Sequence, residues 1–179
     1  MRLAPIACVG LSILALSGCA TSGESPRTRG SRGTAARLPI VIRPLFPADY
    51  MAAASSIDLF EIRSAELALT RAANPRLRDF ARTMIADHNG TSAQLSFAGR
   101  RLNLLPSATL LPAHQAMLDE LSARGNFDST YRRQQIAVHG AALKLHSDFA
   151  ARGESPTLRT VARNAAPIER RHLDAMRRL

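Results

Sequence analysis

Residues 103–126 read NLLPSATLLPAHQAMLDELSARGN, and this stretch decides how the rest of the chain is arranged. Pro106 and Pro112 break its first half, and His114 to Ala123 carry a short helical pattern that Gly125 ends. On either side the apolar residues recur at helical spacing, and no segment shows strand alternation. Upstream, one helix runs from about Asp49 to Ala73. Asn74-Pro75 caps and starts a second, which runs to about Leu102. Downstream, Asn126 or Asp128 caps a third helix that reaches Arg152 and stops at Gly153. Ser155-Pro156 starts a fourth that runs to Leu179. The turns within each pair are short, so each pair is an antiparallel hairpin. The stretch between the pairs is about 25 residues, far beyond a tight helix–helix turn and long enough to cross the length of the bundle.

Two antiparallel hairpins joined by a long crossover with a short extra helix is ferritin-like connectivity, so the fold expected is an all-α, ferritin-like four-helix bundle. Each long helix carries a polar residue at the centre of its apolar stripe. Glu61 shares a face with Ala54, Ile57, Ala65, Ala68 and Ala72. His88 shares one with Leu77, Ala81, Met84 and Leu95. His139 lies between Ile136 and Leu143, and His172 between Ile168 and Met176. Glu61 and His88 sit about 13 residues either side of the first turn, roughly 20 Å from it, and His139 and Glu169 lie at a matching height from the second. A buried polar group is costly without a partner, so Glu61, His88, His139 and His172 are expected to meet each other or a metal ion at mid-height.

The 179 residues, 46% of them hydrophobic, suffice for one domain with a core. The formal charge is +10, and Lys144 is the only lysine. Basic charge permits contact with anionic lipid or nucleic acid. With aromatics at 4% and no recognition motif, nucleic acid is not an expected partner. Residues 1–19 read as a secretory signal. Leu16-Ser17-Gly18-Cys19 resembles the lipobox of bacterial lipoproteins, which implies cleavage before Cys19 and a lipid anchor on its sulfur. Ala20 follows, so an outer-membrane anchor facing the periplasm is the expected address in a two-membrane cell. Residues 20–46, rich in Gly, Ser, Thr, Pro and Arg, read as a flexible basic linker, leaving residues 47–179 for the bundle.

Glu61-Ile62, Asn74-Pro75, the run Phe80-Ala81-Arg82-Thr83-Met84-Ile85-Ala86-Asp87-His88, Leu105-Pro106, Phe127-Asp128 with Tyr131, His139, and Pro167 five residues before His172 form a recognisable set. In these residues the chain resembles a group of bacterial envelope proteins of unknown function with a ferritin-like domain. The resemblance spans about Asp49 to Leu179. It implies the four-helix fold and an export signal, and no activity.

Di-iron ferritins draw one Glu from each of two helices and Glu-x-x-His from the other two. Here only Glu169 and His172 form that pair. Ile85 stands three residues before His88, and His139 stands where a Glu would be expected. Glu169 itself lies about 60° off its stripe centre, at a position expected to be apolar in the group. Two readings follow. One is a non-catalytic envelope domain whose Glu and His residues form a buried hydrogen-bond network that fixes helix register. The other is a mononuclear site of three imidazoles and a carboxylate for zinc, copper or iron, acting as a metal buffer or in oxidase chemistry. Asp87 is a candidate to orient a ring. His146 reads as a core or boundary histidine, His114 as surface-facing, Glu66 as solvated, and Met84 as core. Pro167 is expected to kink the last helix. Catalytic residues are not expected, and neither the metal nor the oligomeric state can be read from the sequence.

Overall fold

A computed structural model describes residues 46–123 and 125–179. The expected signal segment, Cys19 and all of the basic linker except Phe46 fall outside the described residues. Five helices account for the described chain: α1 (Pro47–Arg71), α2 (Pro75–Leu102), α3 (Pro112–Ser122), α4 (Phe127–Arg152) and α5 (Pro156–Arg178). Among the described residues there is no strand.

The caps follow the local chemistry. Asn74 accepts from the Arg76 N–H at the start of α2, Asn126 from Ser129 at the start of α4, and Ser155 from Leu158 at the start of α5. Asp128, the other expected cap of α4, does something else. Its carboxylate accepts the backbone N–H groups of Ala73 (3.0 Å) and Asn74 (2.9 Å), tying the α1–α2 turn to the start of α4. α2 ends at Asn103, the one non-glycine residue with positive φ (55°) among those described. The chain then folds back so tightly that the Leu104 N–H donates to the Gly99 carbonyl. A Cβ on Gly99 would lie 2.0 Å from the Leu104 oxygen and 2.9 Å from Met51 Cε, so only glycine fits there.

α1 packs on α2 and α4 on α5 as the two hairpins, and α1–α4 and α2–α5 close the bundle. Tyr50, near the start of α1, stacks on Phe149, near the end of α4 (centroids 3.9 Å apart), so these neighbours are antiparallel. The crossover carries α3 along α1 and α4. This is the ferritin-like bundle expected. The expected kink at Pro167 leaves α5 a single helix through that residue.

The core comes in two apolar blocks. One, built on Tyr50, Ile57, Phe60, Leu95, Leu145 and Phe149, fills the end where α1 begins. The other, built on Ala68, Leu77, Phe80, Met84, Tyr131 and Met176, fills the end where α1 finishes. Most of the buried charged or imidazole residues of the long helices fall between the two blocks: Asp58 and Glu61 on α1, His88 on α2, His139 on α4, Glu169 and His172 on α5, with His146 of α4 set in the first block beside Tyr50. The bundle thus has a polar layer across its middle.

Candidate metal centre

One ligand atom from each of His88, His139, Glu169 and His172 lies within 4.8 Å of the others, and all four residues are buried. The ring centroids stand 6.0 Å apart for His88–His139, 5.4 Å for His88–His172 and 5.2 Å for His139–His172. Helical periodicity brings Glu169 and His172 to one side of α5, three residues apart.

The rings of His88 and His172 are held from behind, and both nitrogens of His139 have partners. His88 donates from Nδ1 to Asp58 Oδ1 at 2.8 Å, and Asp58 is fixed in turn by the hydroxyls of Thr91 (2.8 Å) and Ser92 (3.0 Å). His172 donates from Nε2 to Asp87 at 2.8 Å. His139 Nδ1 lies 2.9 Å from Glu169 Oε2, and its Nε2 lies 3.2 Å from Gln135 Oε1. His88 Nε2, His172 Nδ1 and Glu169 Oε1 are left buried without a hydrogen-bond partner, as are both carboxylate oxygens of Glu61.

Glu61 is fully buried, with Oε1 4.0 Å from His139 Nδ1, and lies beside the close set of four. Glu169 is in that set. Although it lies about 60° off its stripe centre, the helix carries it into the polar layer, where His139 meets its carboxylate. His114 is a second correction. It is 2% exposed rather than surface-facing, because its Nδ1 lies 2.7 Å from the Ser56 hydroxyl, which also accepts the Leu111 N–H and docks α3 on α1. His146 is a core histidine as expected, bonded to the Tyr50 hydroxyl at 3.0 Å, with Nε2 3.7 Å from Glu169 Oε1. Glu66 is exposed and Met84 buried, as expected. Asp87 orients His172, the ring across the α2–α5 interface, rather than its sequence neighbour His88.

Asp58 was missing from the sequence reading. The signal was present: an inward imidazole exposes two nitrogens, and Asp58 lies one turn before Glu61 on the same helix.

The electrostatics sort the groups by partner. Burial disfavours charge on His88, but the Asp58 bond and the nearby Glu169 and Glu61 carboxylates outweigh it and lift the ring to about 9. Burial would raise Glu169, yet the His139 bond and the charge of His88 bring it down to about 2. Burial dominates at Glu61 and raises it despite His139 and His88, favouring the neutral acid. Burial and the charge on His139 lower His172 to about 4, against the pull of Asp87. The layer thus holds ionised Glu169, cationic His88 and neutral His172 around a shared space.

Solvent approaches from one side. A groove of about 420 Å³ between α2 and α5, lined by Phe80, Thr83, Asp87, Arg171, His172 and Arg178 among others, reaches the His172–Asp87 pair.

A family model for a domain of unknown function, DUF4142, matches residues 45–179. The chain belongs to this family. No curated protein matches the sequence. Among solved structures, the chain is similar to CopM in its Cu(II)-bound form, at 22% identity and a TM-score of 0.63, covering 74% of this chain and 94% of that one. CopM in the Cu(I)-bound form is similar at 20% identity and a TM-score of 0.62, covering 73% and 92%. Apo CopM is similar at 21% identity and a TM-score of 0.60, covering 74% and 94%. At these identities the likeness establishes a common fold for the DUF4142 bundle.

Proposed function

We propose that the bundle binds a single divalent late-transition ion, copper(II) or zinc(II), through His88, His139, Glu169 and His172, and serves as a metal buffer. The observation that carries this reading is the set of orphaned buried atoms: His88 Nε2, His172 Nδ1 and Glu169 Oε1 belong to residues that meet in the polar layer and are buried with nothing to bond. Unpaired buried groups of this kind cost about 1–3 kcal/mol each, and a cation would satisfy them together. The backing also fits. Metal-bound histidines commonly donate their other N–H to a carboxylate, as His88 does to Asp58 and His172 to Asp87.

Three nitrogens and one oxygen suit a borderline divalent ion better than a soft monovalent one. A four-coordinate ion with bonds of about 2.1 Å separates its ligand atoms by about 3.4 Å. A spread within 4.8 Å is therefore a small side-chain closure away. The copper-bound forms of CopM lend the fold a precedent for metal. A single Glu-x-x-His favours storage over oxygen chemistry. Taken with the lipobox at Cys19, the reading is of a lipid-anchored protein of the cell envelope.

The test is a titration of chelator-stripped, untagged protein. Copper(II) or zinc(II) should bind at one per chain, release protons and raise the melting temperature by mass action. His172→Ala and His88→Ala should each abolish that rise. A melt unmoved by either metal, or an equal rise in both variants, would leave a metal-free polar network as the correct reading.

A further inference from the structure

The four donors are buried, so a cation needs a way in. Of the residues that hydrogen-bond to their side chains from outside the set, Asp58 and Gln135 are buried as well. Asp87 differs. Its side chain is 33% exposed, yet its Oδ2 accepts from His172 Nε2 at 2.8 Å. His172 therefore faces two ways. Its Nε2 is turned to Asp87, which lines the α2–α5 groove, and its Nδ1 is buried without a partner.

The groove has a floor and a charge pattern. Phe80 lines it and meets the rings of His139 and His172 edge-on, with centroids 6.2 Å and 5.9 Å away. That ring stands between the groove and two of the four donors. A second hollow of about 400 Å³ shares Phe80, Ala175 and Arg178 with the first and adds Asp79, so the groove continues along the α2–α5 seam toward Leu179. α2 carries five arginines and α5 six, and apart from buried Glu169 their acids are Asp79, Asp87 and Asp174. All three line this groove. On two helices whose other charges repel cations, the carboxylates collect along the approach to the donors. Arg171 works against them, with its guanidinium 3.7 Å from Asp87 Oδ2.

We infer that the buried centre is loaded and emptied through the α2–α5 groove, with Asp87 as the capturing carboxylate and the Phe80–His172 pair as the gate. The inference rests on the metal reading and adds its route. Asp87 offers an oxygen to a cation still in contact with water, one hydrogen bond away from a donor imidazole. Rotation of the Phe80 or His172 ring joins the groove to the layer without moving a helix. A gate has a kinetic signature. It changes the rates of entry and exit together and leaves the equilibrium where it was, whereas a group that only props up a ligand changes affinity through release.

The experiment uses full-length chains sharing Cys8→Ser and Cys19→Ser, so that no thiol competes for the ion. Stopped-flow mixing with zinc(II) and a chromophoric chelator gives association and release rates, and melts with and without zinc(II) give the equilibrium. Asp87→Asn keeps an acceptor for His172 and removes the charge. It should slow association about tenfold at low salt, and the deficit should shrink as salt is raised. Asp174→Asn, which touches no donor, should slow it about threefold. Glu66→Gln, the same loss of charge on an exposed part of α1, should leave it unchanged. Arg171→Gln should quicken it. Phe80→Leu should speed association and release by the same factor. Thr83→Trp, at an exposed position that lines the groove, should slow both equally and does not disturb the core. A parent that binds one zinc(II) per chain, with association unmoved by Asp87→Asn and Thr83→Trp, would overturn the route and leave the metal reading standing. Equal slowing by Glu66→Gln and Asp174→Asn would do the same. A parent whose melt ignores zinc(II) and copper(II) would remove the metal reading and the route with it.

Discussion

Replacing Asp58 with Asn tests the polar layer at its best-defined contact. The substitution keeps the shape of the side chain and removes the anion that faces His88 Nδ1 at 2.8 Å. In the metal-free protein His88 is raised from 6.5 to about 9. A base whose folded pKa is raised contributes stability that is complete below the unfolded value and fades as pH climbs through the folded one. The window is therefore pH 6.5 to about 9. At 1.36 kcal/mol per unit, the full gap corresponds to about 3 kcal/mol. Asp58 acts on His88 both by hydrogen bond and by charge, with Glu169 and Glu61 adding the rest. Asp58→Asn should then remove about 1–3 kcal/mol at pH 6 and almost nothing at pH 9. His172 supplies the opposite limb. Its folded pKa is lowered to about 4, so its contribution is present above 6.5 and lost as pH falls toward 4. That acid limb should survive in the variant. Urea unfolding across this range, with chelator throughout, reads both limbs. If Asp58→Asn keeps the alkaline decline of the parent, His88 does not hold its proton against Asp58 and the electrostatic account of the layer is wrong.

Ser56→Ala should strip the Leu111 N–H and His114 of their shared partner. We expect a loss of about 1–3 kcal/mol and faster amide exchange in α3, with α2 and α5 unchanged. Cys19→Ser should abolish labelled palmitate incorporation and detergent partitioning in the expressing cell, and unchanged partitioning would remove the lipobox reading.

The helices were legible because their punctuation is strong. Asn74-Pro75, Gly153 and Ser155-Pro156 mark ends that local chemistry enforces, and the length of the crossover leaves few ways to connect two hairpins. The inward positions of Glu61, His88, His139 and His172 could be read from periodicity, since an angle around a helix axis is a property of sequence alone. The partner of each group could not. Whether His139 meets Glu61 or Glu169 depends on how two helices rotate against each other, and that rotation brings Glu169, about 60° off its stripe centre, to a bond with His139. His114 was misread for a related reason. A short helix in a crossover has no stripe long enough to show its face, and the hydroxyl that buries it is 58 residues away.

The carboxylate of Asp128 has a consequence for how the chain tolerates change in length. It reaches back to the α1–α2 turn while the Arg71 guanidinium holds the carbonyls of Leu121, Ser122 and Ala123. The junction between α3 and α4 is therefore pinned at both edges to one corner of the first hairpin. The opposite half of the crossover, from Leu105 to Thr109, is largely exposed. A loop extended by two residues there would bulge into water. The same two residues placed between Ser122 and Asp128 would pull the start of α4 off its corner and shift His139 out of register with His88. The crossover behaves as a slack rope on one side and a measured spacer on the other.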